Sequence, residues 1–217
     1  MGTEEVRALD GIDLDVPEGD YLAIMGPSGS GKSTLLNLLG CLDRSSGGSH
    51  EVNGIEVTKL SDNELSRVRG ESIGFVFQSY NLIPYLNVLD NIKMPRAYLR
   101  SSKDKLATAI ALAQRIGLGD RVNHRPQELS GGQQQRVAVA RAVVNNPKLI
   151  LADELEAITE PGAGAKIIAG MLLTAHAQPE TTMMLVTHLA PAILEATGRN
   201  DLRVDGIEAR GLGDDLE

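Results

Sequence analysis

The sequence predicts an α/β chain built on a mostly parallel core sheet flanked by helices. Two observations carry that expectation. Short apolar runs at residues 21–25, 73–77, 149–152 and 183–187 have the length and continuity of strands buried on both faces. Between them stand stretches whose apolar residues recur at helical spacing, and alternating strands and helices build a parallel sheet covered on both sides. At 217 residues the chain is about one domain long, enough to bury a substantial core.

Taken in order, Leu9, Ile12 and Leu14 alternate with polar residues and read as short strand, with a turn at Pro17–Asp20 before the apolar run Tyr21–Met25. Gly26–Gly31 is a glycine-rich loop, and Lys32 to about Leu42 has helical spacing, with Leu35, Leu36, Leu38 and Leu39 on an inward face. Residues 47–57 read as a hairpin, 62–69 as an amphipathic helix, and Ile73–Phe77 as a strand ending at Gln78. Helical patterns follow over 88–96, 103–116 and 133–144, broken near Gly117–Gly119 and at Pro126. Strand signals return at Leu149–Ala152 and Met183–Thr187. Helix-like segments near 166–175 and 191–196 come after them, then short strands at 201–204 and 206–209.

Composition narrows the function. Twenty-one Lys and Arg against 29 Asp and Glu give a net charge of −8, which argues against a surface that tracks nucleic-acid backbone. The single cysteine, Cys41, excludes a disulfide framework within the chain and fits a reducing compartment. No apolar run approaches the ~18–20 residues that span a bilayer. The acidic N-terminus does not read as a signal peptide.

Gly26-Pro27-Ser28-Gly29-Ser30-Gly31-Lys32-Ser33 fits the phosphate-loop pattern G-x-x-x-x-G-K-[ST], and Thr34 follows it. Glycines let successive N–H groups converge on phosphate oxygens while the next helix points its positive end at them. Lys32 then reaches the outer phosphates and the Ser33 hydroxyl ligates Mg²⁺. A glycine-rich turn with a stray lysine would lack the flanking apolar strand and helix found here. Nucleotide binding follows.

A phosphate loop alone does not choose among kinases, GTPases and motor ATPases. A second set of residues does. Leu129-Ser130-Gly131-Gly132-Gln133 opens a helix rich in valine and alanine, Phe77-Gln78 ends a strand, Asp153-Glu154 follows Leu149–Ala152, and Thr187-His188 follows another strand. Ser130, Gly131 and Gly132 alone could be an ordinary helix cap. In this order the set resembles the nucleotide-binding subunit of an ATP-binding cassette (ABC) transporter: phosphate loop, Q-loop glutamine, signature, Walker B pair and switch histidine. The stretches 25–34, 39–44, 74–78, 81–84 and 129–137 are similar to the MacB, LolD and FtsE-like branch. In that branch the ATPase serves a permease that exports lipoproteins, peptides or macrolides, or acts on cell-wall enzymes.

The resemblance implies a P-loop NTPase fold of the ABC ATPase type. It divides the chain into a core with a small N-terminal antiparallel β part (1–87 and 146–217) and an inserted helical signature subdomain (88–145). It implies ATP and Mg²⁺ as ligands, with Ser33, Gln78 and Asp153 around the metal. Glu154 becomes the general base, and His188 the residue that orients the attacking water. Ser130, Gly131, Gly132 and Gln133 contact the nucleotide of a second copy, so the chain works as an ATP-dependent homodimer beside an integral membrane permease. Its place is then the cytoplasmic face of the cell membrane, with no nucleic acid as partner. Leu82, Ile83 and Tyr85 belong either to a permease-docking groove or to local core.

Three departures from the family pattern bear on turnover. The opening strand and its adenine-stacking aromatic would lie ahead of Met1, a loss of about 1 kcal/mol in affinity. Leu155–Glu160 replaces the usual Pro-Thr and Ala-Leu-Asp run, and Leu189 stands where an acidic residue is usual. An ATP-gated dimerisation module with little hydrolysis is therefore a competing expectation. A soluble cassette protein acting on ribosomes or DNA is another, disfavoured by the single cassette and the acidic charge.

Overall fold

The computed structural model describes residues 8–98, 105–153, 181–186 and 203–206. Five strands form one parallel sheet in the order β4-β5-β6-β1-β7: β1 is Tyr21–Met25, β4 Ile73–Val76, β5 Leu149–Asp153, β6 Thr182–Val186 and β7 Arg203–Gly206. Alternate residues of the inner strands go to opposite faces. Leu149, Leu151 and Met184 join Leu22, Ile24, Leu35, Leu36, Leu65 and Val68, whereas Ile150, Ala152 and Met183 join Val88, Ile92, Ala113, Val137 and Ala140. That two-sided burial is why these strands read as unbroken apolar runs. Helices α1 (Lys32–Leu39) and α2 (Asp62–Ser72) cover the first face. Helices α3 (Val88–Lys93), α4 (Lys105–Arg115) and α5 (Gly131–Val143) cover the second.

The antiparallel part among the described residues is one hairpin, β2 (Glu51–Val52) with β3 (Ile55–Glu56). Asn53 and Gly54 at its tip both have positive φ, 50° and 76°, which is the Asn-Gly turn that matches strand twist. The strand expected around Leu9–Leu14 is absent: residues 10–17 carry no ladder. Leu9, Leu14 and Val16 pack against the first-face core while Ile12 is exposed, so the alternation there reports packing without pairing.

Other boundaries shift for identifiable reasons. α1 stops at Leu39 because Cys41 turns left-handed (φ 55°). Its N–H bonds Leu38 O at 2.9 Å and the Leu42 N–H bonds Asn37 O at 2.9 Å, a closed C-terminal motif. α3 ends at Lys93 and tightens into a 3₁₀ turn over Met94–Tyr98, because Pro95 has no N–H to continue the ladder. The two strands expected at 201–209 are, among the described residues, the single strand β7. The helices expected near 166–175 and 191–196 lie outside the described residues.

Gly74 in β4 lets α5 approach the sheet closely. A Cβ there would stand 2.4 Å from the Ala142 carbonyl oxygen and 3.1 Å from the Pro147 ring. The obstruction is mostly backbone, so Gly74→Ala has to push α5 off the sheet. A loss of about 3 kcal/mol is expected, near the upper end for overpacking, and a melting temperature lower by roughly 6–12 °C. Circular dichroism at 222 nm measures it; a melt unchanged within a degree would show that α5 does not hold this distance in solution.

Candidate functional site

Because every strand of the main sheet runs the same way, one edge collects all the carboxyl ends. The loop Gly26–Gly31 leaves β1 there, Gln78 follows β4 by two residues, and Asp153 is the last residue of β5. Register brings them level. Asp153 is paired with Val186, which on β6's other side is paired with Ile24, two residues before Gly26. Two strand spacings make that lateral separation about 10 Å. Ala152 is paired with Val76, two residues before Gln78. In open α/β sheets ligands bind outside this edge.

Within the loop, Gly31 has φ 88°, and a Cβ on it would meet the Ala8 carbonyl oxygen at 2.6 Å, so both conformation and space call for glycine. The first ladder bond of α1 is Leu35 N–H to Gly31 O, 2.8 Å, which leaves the N–H groups of Lys32, Ser33 and Thr34 without intrahelical acceptors. No side chain caps this end and no acidic residue occupies its first turn. The contrast with other helices is plain: α2 carries a Ser61–Glu64 capping box, α3 an Asn87 cap and α5 a Ser130–Gln133 capping box. The positive end of α1 is thus left open to an anion.

Lys32 is buried, and its ammonium is held inside the loop. Nζ donates to the carbonyl oxygens of Gly26 (2.8 Å) and Pro27 (2.7 Å) and, at 3.5 Å, to the Ser30 hydroxyl. Pro27, Ser28, Gly29 and Ser33 are exposed, Ser30 is buried, and Gly26, Gly31 and Thr34 are half-buried. The loop therefore combines a fixed positive charge, a helix end with unpaired N–H donors and an accessible hydroxyl. That set suits the outer phosphates of a nucleotide. Among the described residues no three His, Cys, Asp or Glu side chains gather as a cage. Mg²⁺ in nucleotide sites takes one or two protein oxygens and fills its sphere with phosphate oxygens and water. Ser33 and Asp153 are such oxygens on the same edge. Glu154 and His188 lie outside the described residues.

At the start of α5, Ser130 N–H bonds Gln133 Oε1 (2.9 Å) and Gln133 N–H bonds Ser130 Oγ (3.4 Å). Gly131 and Gly132 are exposed at the first two helical positions, where N–H groups lack ladder partners. The starts of α1 and α5 are thus two helix ends in one chain with N–H groups outside the ladder.

The segment after Gln78 holds residues that the sequence did not single out. Phe75 and Phe77 stack at 5.1 Å, the turn closes with Tyr80 N–H to Phe77 O (3.0 Å), and exposed Gln78 sits within it. Tyr80 and Asn81 are then both left-handed, φ 60° and 45°, at roughly 1–2 kcal/mol each. The Arg141 guanidinium offsets that cost, donating from Nη2 to Tyr80 O (2.8 Å) and from Nη1 to Asn81 O (2.6 Å); burial holds its pKa below the usual range. Of the three apolar residues beyond, Leu82 packs against the second-face core, Ile83 is half-buried and Tyr85 is 74% exposed. Local core thus accounts for Leu82 and not for Tyr85.

Comparison with known proteins agrees with this geometry. The family described as ABC transporter matches residues 9–157. An uncharacterized ABC transporter ATP-binding protein of Thermotoga maritima is 45% identical over 216 residues, covering 98% of this chain and 92% of that protein. A macrolide export ATP-binding/permease protein MacB 1/2 of Paracoccus denitrificans is 46% identical over 188 residues, 86% of this chain but 28% of that longer protein. Among solved structures, the dimeric post-hydrolysis state of the cassette MJ0796 bound to ADP and Pi superposes with a TM-score of 0.84 at 37% identity, covering 96% of this chain and 90% of that one. Matched over most of its length in sequence and in structure, the chain belongs to the ABC transporter family as one of its ATP-binding, ATP-hydrolysing cassettes.

Proposed function

We propose that two copies of this chain close head to tail around two MgATP and that closure and hydrolysis drive a membrane permease of the lipoprotein, macrolide or peptide export or cell-division type. The observation that carries this reading is the pair of anion-facing helix ends in one chain. The open end of α1 beside Lys32 suits the chain's own nucleotide, while exposed Gly131 and Gly132 at α5 suit one presented from outside. The dimeric MJ0796 cassette holding ADP and Pi supports the assembly, and the joining of cassette and permease in MacB supports the partner. Among the described residues no helix is long and apolar enough to cross a membrane.

In this reading Lys32 and the α1 N–H groups hold the β- and γ-phosphates, and Ser33, Asp153 and Gln78 surround Mg²⁺, which supplies charge neutralisation when bound. Residues 1–87 and 146–217 form the core, and 88–145 the signature subdomain. Glu154 takes a proton from the attacking water, and His188 orients it. Ser130 and Gly132 donate to the γ-phosphate of the partner's nucleotide, so the site is complete only in the dimer.

The test is assembly. Glu154→Gln is expected to lower turnover at least about 10²-fold and, saturated with MgATP, to run as a dimer in light scattering. Adding Ser130→Arg should return it to monomer with MgATP affinity per monomer unchanged. A Glu154→Gln protein that stays monomeric with MgATP would sink the proposal.

A further inference from the structure

From Tyr80 onward the segment after Gln78 is fastened to the helices rather than to the sheet. Arg141, on the third turn of α5, grips the Tyr80 and Asn81 carbonyls through both terminal nitrogens. The Tyr80 hydroxyl lies beside the first residue of the same helix, 3.5 Å from where a Cβ on Gly131 would be. Asn91 on α3 holds the next stretch, accepting from Ile83 N–H (2.8 Å) and donating to the carbonyls of Ile83 (3.2 Å), Leu86 (3.1 Å) and Asn87 (3.0 Å). The joint between this fastened segment and β4 is the short turn that contains Gln78.

We infer that Arg141 is a positioning residue for ATP hydrolysis: by clamping Tyr80 and Asn81 it makes the placement of Gln78 and the orientation of the α5 N-terminus a single degree of freedom. Gln78 lies just past the carboxyl end of β4, on the sheet edge that carries the phosphate loop, while Gly131 and Gly132 are exposed at the start of α5. The clamp therefore links the state of one nucleotide site to the helix end that completes the other. Two adjacent left-handed non-glycine residues persist only where surrounding contacts hold them. Beside the local bonds Tyr80 N–H to Phe77 O and Asn81 N–H to Ser79 O, the Arg141 fork is the contact that ties both to α5. A lysine could not reproduce it, since one ammonium reaches a single point where the guanidinium spans two carbonyls. The inference rests on the reading of Gln78 as a nucleotide-contacting residue.

A double-mutant cycle on the full chain tests both, with steady-state phosphate release giving kcat and KM for MgATP and a fluorescent nucleotide giving monomer affinity. Gln78→Ala and Arg141→Met are each expected to lower kcat about tenfold, with KM and monomer affinity within about twofold of the parent. The double variant should fall no more than about twofold below the worse single, because both changes break the same link. A residue that merely stabilised α5 would add its loss in full, giving roughly a hundredfold drop. Arg141→Lys, which keeps charge and stem, should still lose about threefold or more in kcat, and it serves if Arg141→Met does not fold. Full additivity, or an Arg141→Lys protein with the parent's kcat while Gln78→Ala is impaired, overturns the clamp alone. A Gln78→Ala protein with normal turnover overturns the underlying reading of Gln78.

Discussion

Lys32→Met is expected to lower turnover by about 10²–10³-fold and to weaken nucleotide binding in parallel. A charge-assisted donor aimed at developing phosphate charge contributes about 3–4 kcal/mol to the transition state, and the same donor also holds the ground-state triphosphate. Lys32→Arg separates charge from placement. Lys32 is only 6% exposed, and its ammonium fits between the Gly26 and Pro27 carbonyls at 2.8 and 2.7 Å. A guanidinium is wider and donates in a plane, so it cannot enter that space without opening the loop. The arginine variant should lose at least about 10²-fold in turnover although the charge is kept. Phosphate release, nucleotide titration and a melting curve on each protein check this together. If Lys32→Met kept its nucleotide affinity within tenfold, the loop would not be where the phosphates sit. If Lys32→Arg turned over normally, lysine would act as diffuse charge rather than as a placed donor.

Sequence and structure agree most closely where a rule acts locally. Two-faced burial writes itself as unbroken apolar runs, so β1, β4, β5 and β6 were legible to within a residue or two. The phosphate loop was legible because its glycines answer to backbone conformation and close approach at Gly31. Failures came where a pattern has two causes. Alternation at Leu9–Leu14 arises equally from strand pairing and from one-sided packing of a coil, and here the second holds. The helical spacing from Lys32 runs on to Leu42 because nothing in it reveals that Cys41, rather than a glycine, takes the left-handed closing position. Arg141 was missed for another reason: its acceptors are backbone carbonyls 60 and 61 positions away, which carry no sequence signal. A faint one was available in the helix itself. Arg141 is one charge amid Val137, Ala138, Val139, Ala140, Ala142 and Val143, and a cation on so apolar a stretch needs buried acceptors.

Asn91 offers the largest expected effect on stability. It is 1% exposed, and its amide serves four backbone groups of the segment that leads from Gln78 to α3. Asn91→Leu keeps the shape and removes every side-chain bond, stranding the Ile83 N–H and the Leu86 carbonyl beside the core formed by Val88, Ile92 and Leu129. The Ile83 and Asn87 carbonyls keep only their backbone donors, Leu86 N–H and Asn91 N–H. Each unsatisfied buried group costs about 1–3 kcal/mol, and part is recovered as the exposed side of the loop takes up water. A net loss of about 4 kcal/mol, or roughly 8–16 °C in melting temperature, is expected. Asn91→Asp turns the same site into a pH test. The carboxylate still accepts from Ile83 N–H, but it faces three carbonyl oxygens, so folding raises its pKa above the unfolded value. A raised acid pKa means that its stabilising contribution is present at low pH, where the protonated group donates, and is lost as pH rises through the folded pKa. The melting temperature of Asn91→Asp should therefore approach that of the parent as pH falls and diverge toward neutrality, while the Asn91→Leu deficit stays constant relative to the parent. A pH-independent deficit in the aspartate variant would place the Asn91 amide in water rather than among those carbonyls.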